Sequence, residues 1–216
     1  MKDLKPESKK VLKLGFPPAL GAWMWSVIYP DFAEEYPHIE IQIQDFGTKE
    51  IIDAIKTGEI ELGFGVLEMV DIREMETLCV KNGEIKILLH KNHEFKDYSH
   101  IPIEDLKEET YIQYKRNTTY IEEKMFLEFK KSGINPDILY VKEQSSAYDL
   151  VSKGHGFTVT LDESISIIKD NSNIISKAFS KPINFTSGLI WRKDIYLSEA
   201  ARDFIKFISQ VIGGIN

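Results

Sequence analysis

Val11-Leu12-Lys13-Leu14-Gly15 runs into Phe16-Pro17-Pro18-Ala19-Leu20-Gly21-Ala22, and further on a charged helical stretch runs into Gly58-Glu59-Ile60-Glu61-Leu62-Gly63-Phe64-Gly65. Each places a Gly- or Pro-marked turn just beyond a short apolar strand. In an open α/β sheet such turns lie outside the carboxyl ends of the strands, where backbone N–H groups and helix starts meet a ligand. The pair predicts an α/β fold with a binding cleft.

Working outward from these stretches, strand and helix signals alternate, as in a largely parallel sheet covered by helices on both faces. Val11 to Leu14 reads as the first strand. Trp23 to Tyr36 follows as a helix whose stripe is Trp23, Val27, Ile28 and Phe32, stopped by Pro37. Ile39, Ile41 and Ile43 alternate with Glu40, Gln42 and Gln44, which predicts a strand with one wetter face, near a sheet edge. Thr48 is positioned to cap the next helix, with Ile51, Ile52 and Ile55 inside and Gly58 as its end. Leu62 to Val66 reads as a strand, and Glu76 to Val80 and Ile85 to Leu89 as two more around an Asn82-Gly83 turn.

After Asp97 the pattern restarts with Ile103 to Leu106, a strand at Thr110 to Tyr114, and a helix from Tyr120 to Lys131 carrying Met125, Phe126 and Phe129 before Gly133. Ile138 to Val141 reads as a strand, Ser145 to Ser152 as a short helix and Gly156 to Leu161 as the next strand. Phe185 to Trp191 is extended, with Trp191 expected in the core. Ser198 caps a last helix to Ile212, with Ala201, Phe204, Ile208 and Val211 on one side and Gly213-Gly214 at its end.

The composition bounds the function. A chain of 216 residues, 43% hydrophobic, buries a real core and fits one large domain or two lobes. Its 34 acidic and 27 basic residues give a net charge of -7 spread along the chain, so no basic face is offered to a phosphate backbone. Cys79 is the single cysteine, which excludes an internal disulfide, fits a reducing compartment and predicts a core thiol. Met1 to Lys10 is polar, a linker remnant without the apolar segment of a secretion signal, and no later run approaches the roughly 18 apolar residues of a membrane span. A cytoplasmic chain is expected.

At this point the ordered set resembles the effector-binding (substrate-binding) domain of LysR-type transcriptional regulators. The matching pieces are Leu12-Lys13-Leu14-Gly15, then Phe32-Ala33-Glu34-Glu35-Tyr36-Pro37 before Ile39-Glu40-Ile41, then the run from Ile51 to Gly63, and Leu88-Leu89-His90-Lys91-Asn92-His93-Glu94-Phe95. Ile103-Glu104-Asp105-Leu106, the run from Val151 to Thr160, and the stretch from Leu197 to Ile205 complete the series in order. The resemblance implies a fold like that of type 2 periplasmic binding proteins: two Rossmann-like lobes joined by two crossover strands, with a ligand between them. On this chain lobe one would take 11–84 and 185–216, and lobe two 85–184. It also implies that a winged helix-turn-helix domain, absent here, carries DNA binding in the full protein. Two copies would pair antiparallel, Trp23 to Tyr36 of one against Ser198 to Ile212 of the other.

Family ligands are commonly small carboxylates or other small metabolites held by backbone N–H and hydroxyl groups. Pro18 and Ala19 stand where the family often places Ser or Thr, so either backbone alone holds the ligand there or the cleft is more apolar. Arg116, Thr118 and Thr119 follow a strand and precede a helix, where the threonines cap the helix or donate to a carboxylate and Arg116 offers a bidentate pair. Gln144, Ser145 and Ser146 form another such junction, serving as caps or as donors. Gly65, with Val66, matches the position where family members bring a residue over the ligand, and Thr160 follows the strand leading out of the second lobe. Trp23 and Trp25 are read as an apolar wall or as packing.

His90 and His93, with Glu94, lack a third metal ligand at a workable spacing, and no cofactor is expected. No activated nucleophile, phosphate loop or paired-cysteine motif marks an enzyme. Two alternatives share the fold: a solute receptor for a transporter, which needs export, and a small-molecule enzyme, which needs turnover.

Overall fold

The computed structural model describes residues 9–17, 26, 28–114, 120–168 and 171–213. Along the chain come β1 (Lys10–Phe16), α1 (Tyr29–Glu35), β2 (Ile39–Asp45), α2 (Thr48–Thr57), β3 (Leu62–Val66), β4 (Met75–His90), β5 (His100–Ile101), β6 (Tyr111–Tyr114), α3 (Tyr120–Lys131), β7 (Ile138–Val141), α4 (Gln144–Ser152), β8 (Thr158–Leu161), α5 (Ile165–Ile168), β9 (Ile174–Phe179), β10 (Asn184–Arg192) and α6 (Glu199–Gly213). The chain divides into two compact units, Met1–Lys81 with Thr186–Asn216, and Asn82–Phe185. It leaves unit one within β4 and returns at the start of β10.

In unit one, β1 runs parallel to β2 from Lys10↔Ile39 to Phe16↔Asp45 and parallel to β3 at Leu14↔Leu62, while β10 is antiparallel to β3. That order leaves β2 at the edge, as its alternating pattern predicts. The sheet buries two faces. Ile51, Ala54 and Ile55 recur at helical spacing and seat α2 with Ile60, Met75 and Ile190. Leu12, Leu14 and Phe16 alternate along β1, and Phe16 stacks on Phe64 of β3 with ring centroids 4.9 Å apart. Phe32 of α1 meets Phe204 and Phe207 of α6 edge-on at 5.1 and 5.3 Å.

In unit two, β4 lies between β8 and β9, antiparallel to both, and β5 runs parallel to β9. β6 and β7 form a parallel pair, tied on by a bridge between Tyr111 and Phe157. Leu88, Ile112, Ala147, Val151 and Ile168 make the core beneath α4. Tyr111 packs against Phe129 of α3 and Phe157 at ring distances of 5.3 and 5.2 Å.

Several expectations change. Glu76 to Val80 and Ile85 to Leu89 belong to one continuous strand, because Asn82-Gly83 makes no turn. Glycine serves close approach there: a Cβ at Gly83 would stand 2.5 Å from the Phe185 ring and 2.6 Å from Asp162 Oδ1. Cys79 is exposed rather than in the core, since it lies in a stretch of β4 in which no residue from Glu76 to Asn82 is buried. Trp191 is half-buried, at the end of β10 where cover runs out. Phe126 turns outward at 39% exposure while Met125 and Phe129, four residues apart, take the buried face. Ile103–Leu106 is a 3-10 turn, and β9 and α5 are additional elements. Trp23, Trp25 and Val27 lie outside the described residues.

Candidate functional site

Each unit presents a strand-to-helix junction, and each is built from its own residues. In unit one, Gly47 is extended at φ -72° and ψ 161° and precedes α2. Glycine has no side chain with which to cap a helix, so the only reciprocal contact is Glu50 Oε2 accepting from the Gly47 N–H at 2.7 Å. Thr48 is therefore the first helical residue rather than the cap. Its buried Oγ1 accepts from the Val66 N–H at 3.2 Å, which ties the end of β3 to the start of α2 and leaves the hydroxyl proton free to donate. Gly65 belongs to the same place, because a Cβ there would lie 2.9 Å from Thr48 Cγ2 and 3.2 Å from Ile190 Cδ1. The helix start adds a partial positive charge to this junction. Pro18 and Ala19 lie outside the described residues.

In unit two, Glu143 is the extended residue before α4 and forms no side-chain cap. Ser145 and Ser146 are then helical and exposed, so capping is not their role. Gln144 reaches one turn along α4, its Nε2 donating to Tyr148 Oη at 2.7 Å. Tyr148 Oη lies 3.5 Å from Oγ1 of Thr160, which is 1% exposed on β8. Burial raises the Tyr148 hydroxyl above the usual phenol range, while the bonds from Thr160 and Gln144 pull it back. Lys86, opposite Thr160 in the ladder, is paired with Glu84 at 2.5 Å. Arg116, Thr118 and Thr119 lie outside the described residues.

The structure thus joins Gln144 to Thr160 through Tyr148 and sets Gly65 beside Thr48. Neither Thr48 nor Tyr148 stands out in the sequence as a binding residue. Thr48 carried a signal, being a hydroxyl directly after Phe46-Gly47 at a strand end, and Tyr148 falls one helical turn after Gln144. His90 and His93 are engaged locally: His90 Nδ1 accepts from the Asn92 N–H at 3.3 Å and His93 Nδ1 from the Phe95 N–H at 3.2 Å, with His93 Nε2 3.2 Å from Glu109. Among the described residues no group of three or more His, Cys, Asp or Glu side chains is placed to hold a metal ion, and no helix is long and apolar enough to cross a membrane.

Two α/β units, each ending its strands at a junction of hydroxyl and amide donors, define a ligand-binding domain of the type 2 periplasmic-binding-protein kind. Residues 6–213 match the LysR substrate binding domain, and the chain belongs to that family. Among sequence relatives, the uncharacterized HTH-type transcriptional regulator YwbI of Bacillus subtilis strain 168 is 26% identical over 209 residues, 95% of this chain and 68% of that protein. The effector binding domain of QuiR in complex with shikimate superposes with a TM-score of 0.81 at 22% identity, covering 96% of this chain and 99% of that one. The BenM effector binding domain with its effector benzoate gives 0.78 at 21% identity, over 95% and 93%. The chain spans about two thirds of the length of the regulators it matches, 68% and 66% for two from Bacillus subtilis. It is homologous to the effector-binding domains of transcriptional regulators.

Proposed function

We propose that this chain senses a small metabolite for a LysR-type regulator, in the cytoplasm, and passes the signal to a DNA-binding domain elsewhere in the full protein. Membership of the LysR substrate binding domain family over residues 6–213 carries this reading. The junctions support it chemically. Thr48 and Gly65 in unit one, and Ser145 and Ser146 in unit two with Gln144 and Thr160 joined through Tyr148, supply donors and close backbone approach without an evident nucleophile, which suits reversible binding more than turnover. Arg116, Thr118 and Thr119 remain part of the proposed contact set, as do Pro18 and Ala19.

A ligand that binds one arrangement of the protein more tightly shifts its population, and a coupling of about 1–3 kcal/mol suffices for regulation. Pairing of two copies through the region of α1 and α6 belongs to the same proposal. The described apolar stripes of these helices are largely spent within the chain, Phe32 on Phe204 and Phe207, so their exposed flanks would have to carry it.

A thermal-shift screen of small metabolites followed by calorimetry tests the reading. The expected outcome is saturable binding of a small molecule that is recovered unchanged, weakened by Ser145→Ala and by Thr118→Val. Chemical conversion of the bound compound would favour an enzyme, and a hit indifferent to both substitutions would move the contacts elsewhere.

A further inference from the structure

The Gln144, Tyr148 and Thr160 network bears on where one proton can be given. Thr160 Oγ1 is sealed from solvent at 1% exposure, and the side-chain oxygen within its reach among the described residues is Tyr148 Oη at 3.5 Å. Either oxygen can donate across this 3.5 Å contact; a buried hydroxyl that donates to nothing forfeits roughly 1–3 kcal/mol, so the arrangement that satisfies Thr160 is the one in which it donates to Tyr148. Gln144 Nε2 also donates to Tyr148 Oη, at 2.7 Å. A phenol oxygen accepts two such bonds, and both places are then filled. Tyr148 is left with its own O–H, which has no acceptor among the described residues, on a ring held by the Leu88, Ile112, Ala147 and Val151 cluster.

The charge on this face is balanced. Lys86, which shares it with Thr160, is 2.5 Å from Glu84, so the cation is answered before any ligand arrives. Lys86 is therefore not free to answer a carboxylate at Tyr148, whereas a neutral oxygen accepts one hydrogen bond at little cost.

We propose that Tyr148 Oη is a specificity-determining donor that reads a neutral oxygen of the effector, a hydroxyl or carbonyl, and that the effector belongs to the oxygen-rich small molecules rather than to plain hydrocarbon acids. The proposal rests on the effector-sensing reading. Thr160 and Gln144 act through Tyr148 as positioning residues.

Shikimate and benzoate are suitable probes, since both are ring carboxylates and only shikimate carries ring hydroxyls. Ligand-observed NMR and calorimetry at millimolar concentration are expected to show the wild-type chain taking shikimate more tightly than benzoate. Tyr148→Phe, which keeps the packed ring, is expected to weaken shikimate about fivefold to tenfold and leave benzoate within about twofold. Thr160→Val should share part of the loss and Thr160→Ser restore it, with unfolding curves of the free proteins confirming that each variant is folded. Equal affinity for the two acids, or a Tyr148→Phe variant that binds shikimate as well as wild type or loses both acids alike, overturns the proposal while leaving effector sensing intact. A wild-type chain that takes neither acid also overturns it, and one that in addition answers to no compound in the metabolite screen removes the effector reading itself.

Discussion

Gly156 shows how one residue holds a sheet together. Its φ of 138° lies where side chains are strained, and a Cβ would stand 2.2 Å from the Thr110 carbonyl oxygen and 3.0 Å from Thr110 Cβ. A backbone carbonyl cannot swing aside as a flexible side chain does. That same carbonyl accepts from the Phe157 N–H at 2.9 Å, and Phe157 in turn accepts from the Ile112 N–H at 2.7 Å, so the joint between β6 and the strand that follows Gly156 forms at this point. Gly156→Ala must break the dihedral, the contact or the ladder. The expected loss is about 2–4 kcal/mol in urea unfolding, with unit two affected first. A loss below about 1 kcal/mol would mean that the strand joint has slack the distances do not suggest.

At the scale of the element, α6 shows what periodicity reveals and what it omits. Ala201, Phe204 and Ile208 announce the buried stripe, and Ser198 is legible as the N-cap, its Oγ accepting from the Ala201 N–H at 3.2 Å. Glu61 is not legible. It sits 137 residues earlier, yet its two carboxylate oxygens accept from the Ser198 N–H and Oγ, each at 2.7 Å, and so hold the cap from outside. Local pattern cannot show a partner that only the fold brings near. Glu61→Ala is expected to cost about 1–3 kcal/mol, and Ser198→Ala a comparable amount. Because the two residues form one network, the double variant should lose clearly less than the sum, which a double-mutant cycle in urea measures directly. The same contrast explains the strands. β2 and β3 are readable from alternation and from an apolar run, whereas β9 mixes half-buried residues with an exposed serine and has no clear period. An Asn-Gly pair normally signals a turn, but here Gly83 lies inside the continuous β4, with Phe185, over 100 residues further on, packed where its side chain would be.

For the whole molecule, fold class and family were readable because many weak signals recur in one order along the chain. The network within the proposed contact set was only partly readable, because side chains at a junction are joined only when distant strands are placed: Thr160 was visible as a candidate, and Tyr148 joins it to Gln144 through α4. Global stability carries a comparable hidden dependence on pH. Tyr111 is 1% exposed, and its hydroxyl is raised far above the usual phenol range, first by burial and then by the charges of Glu122 and Tyr140. In the unfolded chain the same phenol loses its proton near pH 10. A group whose folded pKa is raised contributes stability that is complete below the unfolded value and is lost as pH climbs toward the folded one, because the unfolded state then releases a proton that the native state retains. Tyr148, also raised by burial, acts in the same sense. Urea midpoints are therefore expected to hold steady up to about pH 9 and to fall steeply beyond about pH 10. Tyr111→Phe keeps the ring contacts with Phe129 and Phe157 and removes the titrating group. Its midpoint should match wild type at neutral pH and fall less steeply on the alkaline side, and superimposable alkaline limbs would show that Tyr111 does not set the limit.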